Sequence, residues 1–158
     1  HCFRPFPGSP ATARGEVREE VIAAKEKGII FDIGHGKGSF GFVTAEAMLA
    51  AGFYPDCISS DVHVLSIDGP AYDQLITMSK LLNLGMPLDK VIAASTCNPA
   101  AAIGHPELGT LSVGAPGDAS ILRIEEGQFE FTDATDAVRT DAQRLGLEAM
   151  VLHGQVWH

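Results

Sequence analysis

The sequence predicts an α/β fold in which buried parallel strands alternate with helices and a smaller β element follows. Three observations carry this. Two short apolar runs, Phe31-Asp32-Ile33-Gly34-His35-Gly36 and Cys57-Ile58-Ser59-Ser60-Asp61-Val62-His63, end abruptly in residues able to bind a metal or move a proton. A helix-like stretch separates them. The opening His1-Cys2-Phe3 has the look of a third strand end, and beyond residues 104 to 109 the pattern changes to short β segments between glycine turns. Parallel sheets bury their strands on both faces and present reactive side chains at the strand C-termini.

The elements follow in order. Arg4 to Arg14 holds Pro5, Pro7, Gly8, Ser9 and Pro10 and reads as a long loop. Glu16 to Lys27 is helical, with Val17, Val21, Ile22 and Ala24 as its apolar stripe, acids early, lysines late and Gly28 as its stop. Ile29 to Ile33 is a strand interrupted only by Asp32, which needs a partner because an unpaired buried carboxylate is costly. Gly34 to Phe40 is a glycine-rich turn, Phe42 to Ala51 a helix, and Cys57 to Ser60 the next strand. Tyr72 to Leu84 and a short segment opened by Pro87 are further helices, and Asn98-Pro99 reads as an N-cap followed by proline at the first helical position. Gly109 to Gly114, Ala119 to Ile124 and Gln128 to Phe131 read as short β segments, Asp133 to Gly146 as polar and weakly patterned, and Ala149 to Trp157 as a last strand.

Composition narrows the function classes. A chain that is 46% apolar and 20% charged is globular, and its net charge of −9 disfavours nucleic acid or an anionic membrane as partner. No apolar run is long enough to span a membrane. The three cysteines, Cys2, Cys57 and Cys97, are odd in number and widely spaced. They read as reduced core residues of a cytoplasmic protein.

If the βα units belong to one parallel barrel, the strand ends at His1, His35 and Asp61 share a rim. Imidazoles and a carboxylate there suit a first-row divalent ion such as zinc. A carboxylate beside an ion that acidifies water can also act as general base. Plainer readings stand beside these. For His1 the plainer reading is a truncation or tag remnant, for Asp61 a helix or strand cap, for His35 a turn residue between glycines, and for His63 a solvent-exposed loop histidine.

The ordered set His1-Cys2-Phe3, FDIGHGKGSF over 31–40, ISSDV over 58–62, Met78-Ser79-Lys80, TCNPA over 96–100, Gly109-Thr110-Leu111 and GAPGDAS over 114–120 resembles the C-terminal part of the amidohydrolase superfamily. It is most similar to the dihydroorotase-like branch, which includes deacetylases. The resemblance implies a metal-dependent (β/α)8 TIM-like barrel whose last strands and helices occupy 1–106, with part of a β-sandwich over 107–158. It further implies His1 and Asp61 as metal ligands, Asp61 as the catalytic proton carrier, and His35, Gly36, Ser39 and His63 near the substrate. The implied cofactor is zinc or another divalent ion, binuclear in the complete enzyme. The family's paired histidines on the first strand, its bridging lysine and its fifth-strand histidine have no counterpart among these residues. The N-terminal part of the barrel, as a separate chain or a missing segment, is therefore an expected partner, with a homo-oligomer as the expected assembly.

The function so implied is hydrolysis of an amide or ester bond in a cyclic amide or an acylated small acid. The rival is a non-catalytic barrel relative that binds a ligand or partner without turnover. Redox or acyl-transfer chemistry at Cys57 is a third, weaker reading.

Overall fold

A computed structural model describes residues 1–157 of the chain. Five helices, α1 (Glu19–Glu26), α2 (Phe42–Ala50), α3 (Gln74–Asn83), α4 (Leu88–Ser95) and α5 (Cys97–Ala102), precede a 3-10 turn at Pro106–Gly109. Three strands follow, β1 (Ala119–Thr132), β2 (Val138–Leu152) and β3 (Gln155–Trp157).

The three rim segments lie side by side. The Cys2 amide donates to Asp32 O at 2.9 Å, Ile33 to Cys57 O at 3.1 Å, His35 to Ser59 O at 3.2 Å and Gly36 to Ser60 O at 2.9 Å. Parallel bridges join Phe3 to Phe40 and Asp32 to Cys57. This is the slanted, evenly stepped pattern of a parallel ladder, though too short to form long strands. The ladder starts at Phe31: Ile29 and Ile30, expected within the strand, are more than half exposed. Helix α2 packs Phe42, Ala45 and Met48 onto this layer, and one core joins Phe3, Ile33, Phe40, Leu81, Val91, Phe131 and Leu145.

Helix α3 starts because Asp73 caps it, accepting from the Ile76 amide at 2.7 Å. It also carries the β element. The Ser79 hydroxyl accepts from the Leu145 amide at 2.9 Å, and the Asn83 amide donates to Gln143 O at 2.8 Å.

The β region departs from the sequence reading. Ala119 to Ile124 and Gln128 to Phe131 are one strand, β1, with an irregularity in pairing between Glu126 and Phe129 around Gly127. The polar stretch Asp133 to Gly146 is mostly β2, paired antiparallel along β1. Its polarity reflects a strand that buries only Leu145 and Ala149 fully, with Arg123 bonded to Glu125 and Glu148, and Arg144 to Glu125, across the exposed face. Gly109 to Gly114 is not a strand but a turn region, and the last strand is split by the His153-Gly154 turn. Asn98 is not a cap: Thr96 holds that position, and Asn98 and Pro99 lie in the first turn of α5.

Candidate functional site

The site is built on the Gly34-His35-Gly36 turn. Both glycines adopt φ +49°, the left-handed region that a side chain disfavours. A side chain at either position would also have to displace a neighbour. A Cβ on Gly34 would stand 2.6 Å from Nδ1 of His1, and one on Gly36 would stand 2.6 Å from Oδ2 of Asp61. Two glycines thus set the backbone against the two side chains singled out as metal ligands, while the residue between them turns the other way.

His1 is exposed, and its Nδ1 lies 2.6 Å from Gly34 O. A carbonyl only accepts, so Nδ1 carries the hydrogen. In the neutral ring, Nε2 then bears the free lone pair, the tautomer that a metal-ligating histidine needs. Asp61 is exposed and sits at φ +46°, a conformation aspartate tolerates better than most residues. Among the described residues no hydrogen bond engages its carboxylate, so both oxygens are available. A lone-pair nitrogen and an unengaged carboxylate are suitable donors for a divalent cation. No group of three or more His, Cys, Asp or Glu able to hold a metal occurs among the described residues, so such a site takes further donors from outside them.

His35 was expected near the substrate. Its ring is fully buried, stacked on Phe40 with centroids 4.8 Å apart, and both nitrogens are engaged. Nε2 lies 2.8 Å from Nζ of Lys80, and Nδ1 lies 3.0 Å from Gly36 O. The lysine must be the donor in the first contact, which leaves the Nδ1 hydrogen for the carbonyl. Burial, then the nearby Lys80 charge, pulls the imidazole down to about 4. The imidazole therefore lies inside the fold, and the part of this turn beside Asp61 is Gly36.

Ser39 is nearly buried beneath the turn, its amide donating to His35 O at 3.2 Å. His63 is exposed in the loop after Asp61. Its Nδ1 accepts from the Leu65 amide at 3.3 Å, and its own amide donates to the Ser66 hydroxyl at 3.0 Å. Lys37, in the same turn as His35, donates to Gly69 O at 3.4 Å.

Two pairs escaped the sequence reading. Asp32 finds its partner in Ser59, whose hydroxyl donates to Oδ2 at 2.5 Å, while Oδ1 is buried without a partner among the described residues. Ser59 stands two residues before Asp61 on the neighbouring strand, a signal the residue pattern does contain. The other pair is Lys80 with His35, whose 45-residue separation gave no sequence cue. Cys2 and Cys57 are poorly suited as nucleophiles. Burial pushes the Cys2 thiol up to about 12 and raises that of Cys57, while Cys97, expected in the core, is exposed.

Residues 18–155 match the model of the amidohydrolase family. A deacetylase of Brucella anthropi is 38% identical over 138 residues, covering 87% of this chain and 34% of its own length. A deacetylase of Enterococcus faecalis is 31% identical over 159 aligned positions, covering 99% and 43%. Among solved structures, an adenine deaminase superposes with a TM-score of 0.94 at 30% identity and a dihydroorotase with 0.86 at 34%. Each match covers 99% of this chain and 43% of the other. The chain thus spans between about a third and two-fifths of the length of these relatives.

Proposed function

The chain belongs to the amidohydrolase family and has the fold of the C-terminal portion of its barrel, and from that premise we propose that it supplies the proton-transfer end of a metal-dependent hydrolase. The reaction is cleavage of an amide or ester bond in a cyclic amide or an acylated small acid. The deacetylase, deaminase and dihydroorotase relatives all support a carbon–nitrogen target. The single observation that carries the reading is the placement of His1 and Asp61 against the two glycines of one turn, with the Asp61 carboxylate unengaged.

His1, through Nε2, and Asp61 would hold the ion, zinc or a similar divalent cation, in a binuclear centre completed by the N-terminal part of the barrel. When bound, such an ion supplies Lewis-acid polarisation and acidifies water. The work of this chain's own residues is proton handling. Asp61 accepts the proton of the attacking water at a carboxylate oxygen and returns it to the leaving nitrogen or oxygen. Gly36 keeps the space beside that carboxylate clear, and Ser39 and His63 stand with it as the substrate-side residues of this proposal. Three free cysteines suit a reducing compartment such as the cytoplasm. Apolar side chains at Ile121, Ile124, Leu147 and Trp157 are exposed on the β element. They lead us to expect self-association of this chain when expressed without its partner segment, and a homo-oligomer for the complete protein.

The test is the complete protein, with bound zinc counted by mass spectrometry and hydrolysis measured on N-acetylated amino acids and cyclic amides. Stoichiometric metal with turnover abolished in Asp61→Asn supports the proposal. A metal-free preparation that binds a partner undiminished favours the binding-module reading instead.

A further inference from the structure

We propose that Lys80 is a positioning residue: its side chain ties both segments that flank Asp61 to the turn between β1 and β2, and so sets where the Asp61 carboxylate stands. The inference rests on the proton-transfer role given to Asp61 above.

Lys80 is 1% exposed, on the inward face of α3. Its Nζ has three acceptors in three separate segments: His35 Nε2 at 2.8 Å, Pro70 O at 2.6 Å and Thr132 O at 2.7 Å. An ammonium has three hydrogens, so every donor is used. His35 precedes Gly36, the residue pressed against Asp61, and passes the contact on through Nδ1 to Gly36 O. Pro70 lies near the end of the loop that Asp61 begins, and within that loop the Ser66 hydroxyl reaches back to Asp61 O at 3.4 Å. Thr132 ends β1. The next residue, Asp133, accepts from the Phe42 amide at 2.8 Å, and Ala134 donates to Phe40 O at 2.9 Å. The β1–β2 turn is thereby fixed to the base of α2, and Lys80 transmits that anchorage to the rim.

A residue that merely filled core volume would not need this chemistry. Burial of an ammonium opposes the charged form and draws Lys80 down to about 7, against the fields of Asp133 and Asp73. A methionine would fill a similar space without that cost. What methionine lacks is the ability to hold three chain segments at one point, and two of those segments border Asp61.

The experiment is hydrogen exchange with mass spectrometry on the complete protein, paired with steady-state kinetics, for Lys80→Met and His35→Phe. The second variant keeps a ring over Phe40 and removes both the acceptor for Lys80 and the Nδ1 hydrogen held by Gly36 O. In Lys80→Met, amides of 35–39 and 61–72 are expected to exchange about tenfold faster while α1 and α2 stay as in the parent. Turnover should fall about tenfold to a hundredfold with KM within about twofold, and adding Lys80→Met to Asp61→Asn should cost nothing more. In His35→Phe, exchange should quicken in 35–39 and not in 61–72, and this variant decides the matter if Lys80→Met does not fold. Three results would overturn the proposal: acceleration spread evenly over the chain or confined to α3, unchanged exchange in both variants, or a loss from Lys80→Met as large in the Asp61→Asn variant as in the parent. A complete protein without turnover on any substrate would sink the hydrolase reading, while the exchange pattern would still decide the role of Lys80.

Discussion

The two sides of the Gly34-His35-Gly36 turn contrast sharply. Toward the rim stand His1 and Asp61, both exposed, one contacting a single carbonyl and the other unengaged. Toward the interior stand His35 and Lys80, buried, with every polar hydrogen given an acceptor. A histidine stands on each side, and its surroundings decide what each can do. A histidine with both nitrogens engaged is spent as a ligand, whereas one fixed through Nδ1 remains available through Nε2.

Substitutions on each side should break that contrast in different ways. The largest effect is expected on the rim. In the complete protein Asp61→Asn should lower turnover by about 10²- to 10⁴-fold with little change in melting temperature, the signature of a lost proton carrier. Gly36→Ala comes next. The new Cβ meets a conformation at φ +49° and an oxygen 2.6 Å away, so the carboxylate must move. Turnover should drop about a hundredfold, as misplacement near 1 Å does, and a crystal structure of the variant should show Asp61 displaced.

The interior side should respond in stability and pH. In the unfolded chain His35 takes up its proton near 6.5, whereas the fold holds it neutral down to about 4. Between these values the unfolded state binds more protons, so stability should fall as pH drops from 6.5 to 4, by at most about 3 kcal/mol. Urea titrations across that range measure the slope, which His35→Phe should flatten. An unchanged slope in the variant would assign the effect to other groups. Ser59→Ala takes the hydroxyl from Asp32, whose Oδ1 is already unpartnered, and should cost about 1–3 kcal/mol in the same titration. The smallest effect is expected far from the turn, at Arg123. Its pair with Glu148 lies in solvent, and Glu125 keeps Arg144 as a partner, so Arg123→Ala should shift the urea midpoint little.

Local pattern was enough to find the helices. Phe42 to Ala50 and Gln74 to Asn83 lie within one or two residues of the apolar spacing and glycine stops that predict them. The β region was harder to read. β2 has one face on the core and the other in water, and its inward residues include polar ones such as Asp141 and Gln143, so no apolar alternation marked it. At the site, the sequence supplied His1 and Asp61 as strand-end residues but assigned His35 to the same rim. The two left-handed glycines either side of His35 are the ones that lie against His1 and Asp61, and the turn they make carries the imidazole inward.

Composition, periodicity and strand-end chemistry by themselves determined an α/β chain with metal-suited side chains at the ends of its strands, because these depend on neighbours in sequence. Only the tertiary structure decided which of two histidines keeps a free lone pair, that Ser59 answers Asp32, and that Lys80 joins residues 35, 70 and 132. Those outcomes depend on hydrogen-bond partners 10 to 52 residues away. A protonation state or a latch is fixed by whichever acceptor the packed chain brings within reach, and no local pattern encodes that.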